Sequence, residues 1–438
     1  MNRFVYNIIL HTLVAPFLAA YYLPRVVLGK KYRLSLQGKL GRLPAHFIPE
    51  GLPKPRVWFH AVSVGEVTAL GPLVKAFKML RPSASVIVST GTETGQDKAR
   101  ESISDVVDGF FYLPLDYPSF VNSVVTRIQP DLFVLMETEL WPNLIHSIKS
   151  VGATIALANG RISDRSFPRY KRLRKFFSPT LESIDLFLMA SERDGQRIAE
   201  MGALAERIQV TGNTKFDAAL GQIPEEAEAR MRDLLDVGDS AQVLVAGSTH
   251  PGEHEVVLDA YRALIKQFPD LLLILVPRHV EKTAQIMSAM RDLNMEPPFL
   301  RSSVEAGEKR NGRKVIIVDS TGELYQIFSL ASVVFMGGSL VPKGGQNILE
   351  PAAWGKMVLF GPSTEDFRDA RDVLVNAGAG IQVEGIEDLV QQIAGILSNP
   401  DGAQRLGKKG REEILRHVGS ARKNAELLAE HLSTSQIV

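Results

Sequence analysis

The sequence predicts an α/β protein built from two doubly wound parallel sheets. From about residue 55 onward, short apolar runs alternate with longer amphipathic stretches, which is the pattern of parallel strands connected by helices. The runs form two series, separated by the charged helical stretch Pro224–Leu235 that follows Gly221. At 438 residues, the chain is also longer than one typical domain. We therefore place a domain boundary near Gly221, with a second domain over 222–438.

Each series contains enough apolar runs for a complete sheet. Those of the first series are Val57–Val62, Ser85–Ser89, Gly109–Leu113, Asp131–Met136, Thr154–Ala158, Asp185–Met189 and Arg207–Val210. Those of the second are Gln242–Ala246, Leu271–Val276, Lys314–Val318, Val333–Met336 and Met357–Phe360. The last charged amphipathic region, Ala403–Leu432, is predicted to be helical and could pack back across the first domain. Two such domains facing each other would place a ligand at the carboxyl ends of their strands.

The composition excludes several classes of protein. Hydrophobic residues make up 45% and charged residues 23% of the chain, which is typical of a globular protein and not of a disordered one. The net charge of +1 gives no overall basic field, so no nucleic-acid partner is expected. The absence of cysteine excludes disulfides, thiolate catalysis and cysteine-ligated zinc. The nine histidines show no metal-ligand spacing such as HExxH, and no metal cofactor is expected.

The N-terminal segment is apolar and predicts contact with a membrane. Residues Phe4–Pro24 contain no charged side chain, and this length is about that of a helix crossing the hydrocarbon core. Lysines and arginines cluster after the run, which predicts that the bulk of the protein is cytoplasmic. No small-residue cleavage site follows, so we expect an uncleaved anchor over 1–30 and a first domain over 31–221. An ordinary buried helix is the alternative; Asn7 and His11 also favour a helix lying in the membrane interface.

A glycine-rich segment in the second domain predicts a ligand-binding loop. It reads as a short strand, a loop containing Gly337 and Gly338, a helix opening with Asn347 and Glu350, and a second strand. The glycines let a backbone approach a ligand closely, and the helix start attracts an anion. The Glu350 carboxylate could also bind sugar hydroxyls. A tight turn before a core helix is the alternative, but the Gly-Gly…Asn-x-x-Glu-Pro pattern after an apolar strand resembles the nucleotide-sugar site of GT-B glycosyltransferases.

Two acidic motifs follow strands of the first domain. In the first, Ser63 and Gly65 allow a tight turn that places Glu66 at the start of a helix, a suitable position for a general base acting on a hydroxyl. The alternative is that Glu66 only stabilises the helix N-terminus. In the second, Glu137 and Glu139 lie beside Trp141 at a strand exit. They suit binding of polyhydroxyl or basic groups, with a surface turn as the alternative.

Basic residues complete the first domain. Arg161 follows the next strand, and the stretch Phe167–Phe177 interleaves five lysines and arginines with aromatic residues. That stretch could bind nucleic acid, a phosphorylated lipid or an anionic membrane; the apolar N-terminus favours lipid, and a solvated helix face is the alternative. Lys215 lies just before the domain boundary and could neutralise a carboxylate or a phosphate.

The second domain carries further polar motifs at predicted strand ends. Ser248 and Thr249 follow Gln242–Ala246, and Pro277 and Arg278 follow Leu271–Val276, where the guanidinium of Arg278 suits a phosphate. The remaining motif follows Lys314–Val318 and contains Gly322, Glu323 and Leu324. Independent surface loops would not explain why every motif occupies the C-terminal end of a strand.

Together these motifs resemble one family, the 3-deoxy-D-manno-octulosonic acid (Kdo) transferases of lipopolysaccharide biosynthesis. The resemblance covers almost the whole chain. It rests on HAVSVGE (60–66), ETELWPN (137–143), NGRIS (159–163), GNTKFD (212–217), AGSTHPGEHE (246–255), PRH (277–279), TGEL (321–324) and GGSLVPKGGQNILEPAAWGK (337–356). It implies a GT-B fold of two facing Rossmann-like domains with an N-terminal membrane-anchor helix. The implied activity is inverting transfer of Kdo from CMP-Kdo to the lipid A precursor lipid IVA at the cytoplasmic face of the inner membrane.

The resemblance also implies roles for individual residues. Glu66 is expected to be the general base, with Glu137 and Lys215 assisting the transition state. The implied CMP contacts are Pro277, Arg278, Gly322, Glu323, Leu324, Asn347, Ile348, Leu349 and Glu350. No cofactor and no metal are expected, because a CMP donor carries one phosphate and a sugar carboxylate and the chain lacks an Asp-x-Asp motif.

Two other functions remain open at this point. One is a sugar-nucleotide epimerase of similar fold, which also needs a glycine-rich loop and a glutamate. The apolar N-terminus and the basic aromatic stretch disfavour it, since a soluble substrate requires neither. The other is a non-catalytic membrane scaffold, which the intact Glu66, Arg278 and Glu350 disfavour.

Overall fold

The chain folds into two compact units. The computed structural model describes residues 3–14, 16, 20, 33–220 and 226–434. The first unit comprises Met1–Ala218 together with Val418–Val438, and the second comprises Ala219–His417. The predicted boundary residue, Gly221, lies outside the described residues, as does most of the predicted anchor beyond Val14.

Unit 1 is a doubly wound sheet with the strand order β3-β2-β1-β4-β5-β6-β7, and every neighbouring pair is parallel. Its strands are β1 (Arg56–Ala61), β2 (Ser85–Thr90), β3 (Gly109–Tyr112), β4 (Leu132–Met136), β5 (Thr154–Gly160), β6 (Leu186–Met189) and β7 (Ile208–Val210). Its helices are α1 (Arg3–Ile9), α2 (Arg33–Lys39), α3 (Val64–Leu80), α4 (Glu93–Ile103), α5 (Pro118–Ile128), α6 (Pro142–Ser150), α7 (Phe167–Arg172), α8 (Arg174–Glu182), α9 (Glu192–Met201) and α10 (Thr214–Ala219). The order reverses between β1 and β4, which is where such sheets bind ligands.

Unit 2 repeats this architecture with the strand order β10-β11-β9-β8-β12-β13-β14, again entirely parallel. Its strands are β8 (Val243–Thr249), β9 (Leu272–Pro277), β10 (Phe299–Leu300), β11 (Val315–Ile317), β12 (Val333–Met336), β13 (Val358–Phe360) and β14 (Gly380–Gln382). Its helices are α11 (Ala227–Leu235), α12 (Glu253–Leu264), α13 (Thr283–Asp292), α14 (Leu324–Ile327), α15 (Leu349–Ala353), α16 (Arg368–Ala377), α17 (Ile386–Ser398) and α18 (Pro400–Arg416). The order reverses between β8 and β12.

The central strands are apolar on both faces because helices cover both sides of each sheet. In β1, Trp58 packs into a core on one face, and its neighbours Val57 and Phe59 pack into a core on the other. All six residues of β1 and of β2 are buried. This explains why the apolar residues of these strands follow one another in the sequence instead of alternating with polar ones.

The C-terminal region forms two helices that belong to different units. Helix α18 ends in unit 2, and α19 (Ser420–Thr434) packs on unit 1, with Gly419 between them at φ 106°. Ala425, Leu428, Ala429 and Leu432 of α19 are buried in the same core as residues of β1 and α3. The single helical region predicted over Ala403–Leu432 is therefore divided, and its second half completes the first unit.

The structure describes only part of the N-terminal segment that was predicted to be a membrane anchor. Helix α1 is followed by a π-helical turn over Leu10–Val14, and most of the apolar run after this turn lies outside the described residues. Within the described part of the chain, no helix has the length and apolarity needed to cross a membrane. The expected membrane-anchor helix is therefore not shown.

Helix α1 packs on unit 1 through its polar side chains. The Tyr6 hydroxyl donates to Asp116 at 2.8 Å, and Asn7 exchanges two side-chain hydrogen bonds with Asn143, at 2.7 and 3.2 Å. Four apolar side chains of α1 are 39–68% exposed: Phe4, Val5, Ile8 and Ile9. Helix α1 itself therefore has no buried side chain, although Leu10 directly after it is buried. The alternative of an ordinary buried helix stays a prediction for the rest of the apolar run, most of which lies outside the described residues.

Candidate active site

The carboxyl group of Glu66 lies at the reversal point of the first sheet. The chain leaves β1 at Ala61 and enters α3 at Val64, so Glu66 occupies the first turn of the helix. Ser63 caps this helix, accepting a hydrogen bond from the Glu66 N–H at 3.3 Å. The Ser63 hydroxyl donates in turn to Glu66 Oε1 at 3.1 Å, and the Val62 N–H donates to Oε2 at 2.9 Å. The carboxyl group is thus fixed in place by its own loop.

The environment of Glu66 favours a group that can accept a proton near neutral pH. Glu66 is only 8% exposed, and burial is the main reason that its pKa rises to about 7. The nearby carboxylates of Glu137 and Glu139 raise it further, while the hydrogen bonds from Val62 and Ser63 oppose the shift. A base with such a pKa removes a proton effectively at physiological pH.

Glu137 lies at the end of β4, the strand next to β1, and forms the centre of an ion cluster. Its Oε1 is 3.1 Å from the Lys215 ammonium and 3.7 Å from the Arg161 guanidinium. Burial alone would raise the pKa of Glu137, but these two cations hold it below its usual value. Glu137 is therefore ionised when Glu66 is close to its midpoint.

Lys215 is brought to this cluster by a buried polar framework. The side-chain oxygen of Asn159, at the end of β5, accepts the Thr214 N–H at 3.0 Å, and that of Asn213 accepts the Lys215 N–H at 3.0 Å. Asn159 is fully buried and has a φ of 53°, an uncommon conformation that asparagine tolerates better than most residues. The start of α10 is thereby tied to the end of β5.

The remaining predicted residues of unit 1 line the same region. Glu139 accepts a hydrogen bond from the Trp141 indole at 2.9 Å, and burial raises its pKa. Gly65 is exposed at the start of α3. Unit 1 therefore brings together all seven of its predicted site residues: Ser63, Gly65, Glu66, Glu137, Glu139, Arg161 and Lys215.

In unit 2 the predicted residues occupy the C-terminal ends of neighbouring strands. Ser248 and Thr249 end β8, and Pro277 ends β9 beside them. The Arg278 N–H donates to the Thr249 carbonyl at 2.9 Å, which fixes the backbone at Arg278 while its side chain stays exposed. The Arg278 guanidinium is thus available to an anion at this edge of the sheet.

Glu323 is held by an arginine that the sequence analysis missed. The Arg301 guanidinium donates to Glu323 Oε1 from Nε at 3.1 Å and from Nη2 at 2.8 Å, and the Ser320 hydroxyl donates to Oε2 at 2.5 Å. Gly322 is exposed with a φ of 92°, and Leu324 approaches Gly247 of β8. The loop 320–324 is therefore ordered by Arg301 and lies beside the ends of β8 and β9.

The helix predicted to open with Asn347 is present, but it is short. The Asn347 side chain accepts the Leu349 N–H at 3.2 Å and donates to Glu350 at 3.0 Å. The side chains of Ile348 and Leu349 are buried in the unit, so only their backbone groups could contact a ligand. Asn347 and Glu350 are only partly buried and remain candidates for direct contact.

The glycine-rich loop after β12 packs very closely against neighbouring elements of unit 2. A Cβ atom on Gly337 would lie 2.5 Å from the Ser248 carbonyl oxygen, and Gly338 has a φ of 67°. The Gly338 N–H donates to the carboxylate of Glu253 at 2.7 Å. Gly337 is therefore required by packing against β8, whether or not a ligand is bound.

Comparison with known proteins identifies the family. A sequence profile of the family described as 3-Deoxy-D-manno-octulosonic-acid transferase (kdotransferase) matches residues 35–218. A 3-deoxy-D-manno-octulosonic acid transferase of Haemophilus influenzae is 32% identical over 433 residues, covering 99% of each chain. The chain belongs to the Kdo transferase family. The resemblance inferred from the motifs is therefore confirmed, and Kdo transfer in lipopolysaccharide biosynthesis is the activity of this family.

One further relative is matched over only part of its own length. A bifunctional glycosyltransferase/methyltransferase of Fusobacterium nucleatum is 36% identical over 339 residues, 77% of this chain and 52% of that protein. The chain thus spans about half the length of this relative.

Solved structures of low sequence identity show the fold. A glycosyltransferase from Rickettsia africae superposes with a TM-score of 0.60 at 15% identity, covering 86% of this chain and 99% of that one. UDP-GlcNAc 2-epimerase from Neisseria meningitidis has a TM-score of 0.59 at 12% identity, covering 86% and 100%. The two parallel sheets and these neighbours confirm the predicted GT-B α/β class. The predicted epimerase alternative shares the fold, but the sequence relatives are transferases.

Proposed function

We propose that the chain is an inverting glycosyltransferase that moves Kdo from CMP-Kdo to the lipid A precursor lipid IVA. The observation that carries this proposal is the pair of unlike carboxyl groups at the reversal point of the first sheet. Glu66 has a pKa raised to about 7, whereas Glu137 is held ionised by Lys215 and Arg161. Two neighbouring acids whose pKa values are pushed apart are typical of a site where one of them transfers protons.

Glu66 would act as the general base. The acceptor hydroxyl oxygen attacks the anomeric carbon of Kdo, its proton passes to the Glu66 carboxylate, and the bond from that carbon to the CMP phosphate breaks with its electron pair leaving on CMP. Attack from the face opposite the leaving group inverts the anomeric configuration. The raised pKa makes Glu66 a stronger base than an exposed glutamate, and its loop keeps it aimed without reorganisation.

Lys215 and Arg161 would stabilise negative charge during transfer. Because Glu137 already neutralises part of their charge, the cluster can accept one further anionic group without an unfavourable excess of either sign. The donor sugar carries a carboxylate, which is a suitable partner for such a cluster. We assign Glu137 the role of positioning Lys215, at 3.1 Å.

Unit 2 would bind the donor nucleotide without a metal ion. Arg278 is exposed at the end of β9, and a guanidinium can bind a phosphate through two hydrogen bonds. Asn347 and Glu350 would contact the ribose or base, together with the backbone at Gly322 and Leu324. A single phosphate bound by fixed cations needs no divalent ion to balance its charge.

The surface of unit 1 supports the proposed lipid acceptor and location. Helix α1 exposes four apolar side chains, and α7 and α8 expose five basic ones: Arg169, Lys171, Arg172, Arg174 and Lys175. The Tyr6 and Phe176 rings lie 6.2 Å apart, which places the two surfaces side by side. Apolar side chains next to basic ones suit the interface of an anionic membrane. We propose attachment to the cytoplasmic face of the inner membrane through this surface and the apolar N-terminal run.

A turnover assay tests the proposal directly. Purified full-length protein would be incubated with CMP-Kdo and detergent-dispersed lipid IVA, and the product would be detected by mass spectrometry. Glu66→Gln should reduce the transfer rate about 10²–10⁴-fold while leaving CMP binding intact, because only the proton acceptor is lost. Glu192→Gln is the matched control, since Glu192 also opens a helix after a strand but is exposed. Near-normal transfer by Glu66→Gln would remove Glu66 from the role of base.

A further inference from the structure

One buried carboxylate in unit 2 has an unusual set of partners. Glu253 is the first residue of α12 and is completely inaccessible to solvent. Its Oε2 accepts hydrogen bonds from the His250 N–H at 3.0 Å and the Gly338 N–H at 2.7 Å. Its Oε1 accepts the N–H groups of Ser339 and Leu340, both at 2.9 Å. No lysine, arginine or histidine forms an ion pair with it in the described parts of the chain, so four backbone dipoles hold this charge.

These four hydrogen bonds connect the two strands at which the order of the second sheet reverses. His250 follows β8, while Gly338, Ser339 and Leu340 follow β12, and the two strands are neighbours. Consecutive N–H groups converging on one point form an anion-binding concavity, which in many doubly wound sheets receives a phosphate of the ligand. Here the protein's own carboxylate occupies that position.

A second feature lies against the same loop. The His250 side chain is 9% exposed, and its Nε2 has no hydrogen-bond partner in the described residues. Its ring meets the His279 ring edge to face, with the centroids 5.7 Å apart. Burial lowers the pKa of His250, the Glu253 carboxylate opposes this effect, and the positive charges of Lys343 and Arg278 add to it. With its ring proton on Nε2, the neutral imidazole offers a buried N–H donor that has no partner in the described residues, which suits an anionic ligand.

We propose that Glu253 is a positioning residue for the donor: it occupies the loop N–H groups itself and so leaves the donor's phosphate to the side chains of Arg278, Lys343 and His250. The inference rests on the proposed function, because it assigns these side chains to the phosphate of CMP-Kdo. Glu253 acts through the backbone, since its bond to the His250 N–H fixes that residue, and its bonds to residues 338–340 fix the start of the loop that carries Lys343.

Three variants separate the charge of Glu253 from its shape. Glu253→Gln keeps the size but turns an NH₂ group toward backbone donors, so about half of the hydrogen bonds are replaced by unfavourable contacts. Glu253→Asp keeps the charge on a shorter side chain, and Glu253→Ala empties the concavity. Glu255→Gln is the matched control: it removes the same charge from the same helical turn, where Glu255 is exposed and accepts the Gly252 N–H at 2.9 Å.

Amide hydrogen exchange of the free protein tests the loop without any substrate. In Glu253→Gln, the amides of residues 338–340 should exchange at least about tenfold faster than in the wild type, since charge-assisted hydrogen bonds are lost. Glu253→Asp should restore part of the protection, and Glu255→Gln should change none of it. Unchanged protection at 338–340 in Glu253→Gln would overturn the proposal.

Kinetics and calorimetry then test the link to the donor. Glu253→Gln should raise the KM for CMP-Kdo and the Kd for CMP about tenfold or more, with the KM for the lipid acceptor unchanged. A loss of folded protein alone would instead lower the apparent kcat and leave both KM values as they were. In Glu253→Ala, added formate should lower the KM for CMP-Kdo again, because it can refill the concavity. Faster amide exchange combined with unchanged donor affinity would also overturn the proposal. A wild-type protein that neither binds CMP nor uses CMP-Kdo would instead refute the proposed function.

Discussion

The proton affinity of Glu66 depends on charges that come from other strands. Burial makes the largest contribution to its raised pKa, followed by the Glu137 carboxylate. Because the folded-state pKa is about 7, Glu66 is protonated and inactive as a base below that pH, and ionised above it. We expect kcat/KM to fall tenfold per unit as the pH decreases below about 7, and this acidic limb to be absent in the residual activity of Glu66→Gln.

Substitutions around Glu66 should move this acidic limb in opposite directions. Glu137→Gln removes a negative charge and leaves two cations behind, so the limb should shift to lower pH. Lys215→Met removes a positive charge and should shift it to higher pH. The measurement is the pH dependence of kcat/KM for each variant, since a change in rate alone would not locate the limb. Shifts of the same sign in both variants would contradict the assignment to Glu66.

Arg278 should contribute to nucleotide affinity through its phosphate contact. Arg278→Ala is expected to weaken CMP binding by roughly 1.5–3 kcal/mol, the value of a charge-assisted hydrogen bond. Isothermal titration calorimetry measures this directly. Arg262→Ala is the control, because Arg262 lies on α12, is partly exposed, and pairs only with nearby Asp259 at 3.5 Å in the described structure. Equal CMP affinities of the two variants would exclude the phosphate contact.

The role of a single residue could be predicted only where the residues that it contacts lie in the same short motif. Ser63 and Glu66 lie in one turn, and their mutual hydrogen bonds are those of a helix cap that the sequence itself suggests. The cluster of Glu137 with Lys215 was suggested by the family resemblance and not by spacing. The four-fold contact of Glu253 was missed, because its donors come from residues 250 and 338–340, which meet only in the folded sheet.

Among the elements, helix α1 has the exposed surface with the clearest consequence. Phe4→Asp combined with Ile8→Asp should reduce binding to anionic vesicles at least about tenfold, since burying each such side chain contributes roughly 1.5–3 kcal/mol. Vesicle co-sedimentation at low salt measures the binding. Val375→Asp is the control, because Val375 is similarly exposed on α16 of unit 2. Unchanged binding of the double variant would exclude α1 from the membrane surface.

Deleting the N-terminal segment that contains α1 would not test the membrane contact alone. Asp116 accepts hydrogen bonds from Tyr6 and from the first N–H groups of α6, and burial raises its pKa to about 6. Truncation would take away the Tyr6 hydroxyl and the partner of Asn143 together. Any instability of a truncated protein would then report lost hydrogen bonds as well as a lost membrane contact.

The apolar runs of the sequence predicted twelve strands, and the two edge strands of the second sheet were missed. All seven strands of the first sheet coincide with apolar runs in the sequence, and the five strands between its two edge strands are buried along their whole length. The strands Phe299–Leu300 and Gly380–Gln382 were missed. The first is only two residues long, and the second begins with a glycine and ends with a glutamine, so neither forms an apolar run. Missing the first of these strands also hid Arg301, which follows it and binds Glu323.

At the scale of the whole molecule, the stability of unit 1 should depend on the last helix of the described chain. Leu428→Ala should lower the free energy of unfolding by about 2–5 kcal/mol, because Leu428 is fully buried beside residues of β1 and α3. Leu415→Ala should change it by less than about 0.5 kcal/mol, since Leu415 is half exposed. Denaturant unfolding measures both values. Hydrogen exchange in β1 should accelerate in Leu428→Ala while that in β8 does not.

The sequence predicted two domains and allowed the last helix to pack back on the first of them, but it did not determine that placement. Two series of apolar runs indicated two sheets, and a charged stretch marked the passage between them. An amphipathic helix shows only that it has an apolar face, and both units offered surfaces on which to bury it. Its attachment to unit 1 follows from packing between residues more than 300 positions apart, which no local pattern records.

Because α19 is synthesised last and packs on unit 1, the fold of unit 1 can be completed only at the end of translation. Unit 2 is one continuous segment inserted between the two parts of unit 1. When residue 218 has been synthesised, the apolar surface that α19 will cover is still bare, and the roughly 200 residues of unit 2 take about 10–40 s to translate. The first sheet of the nascent chain therefore keeps an exposed hydrophobic face during this time. Chaperones that bind exposed hydrophobic surfaces should bind this chain until its last helix has been translated.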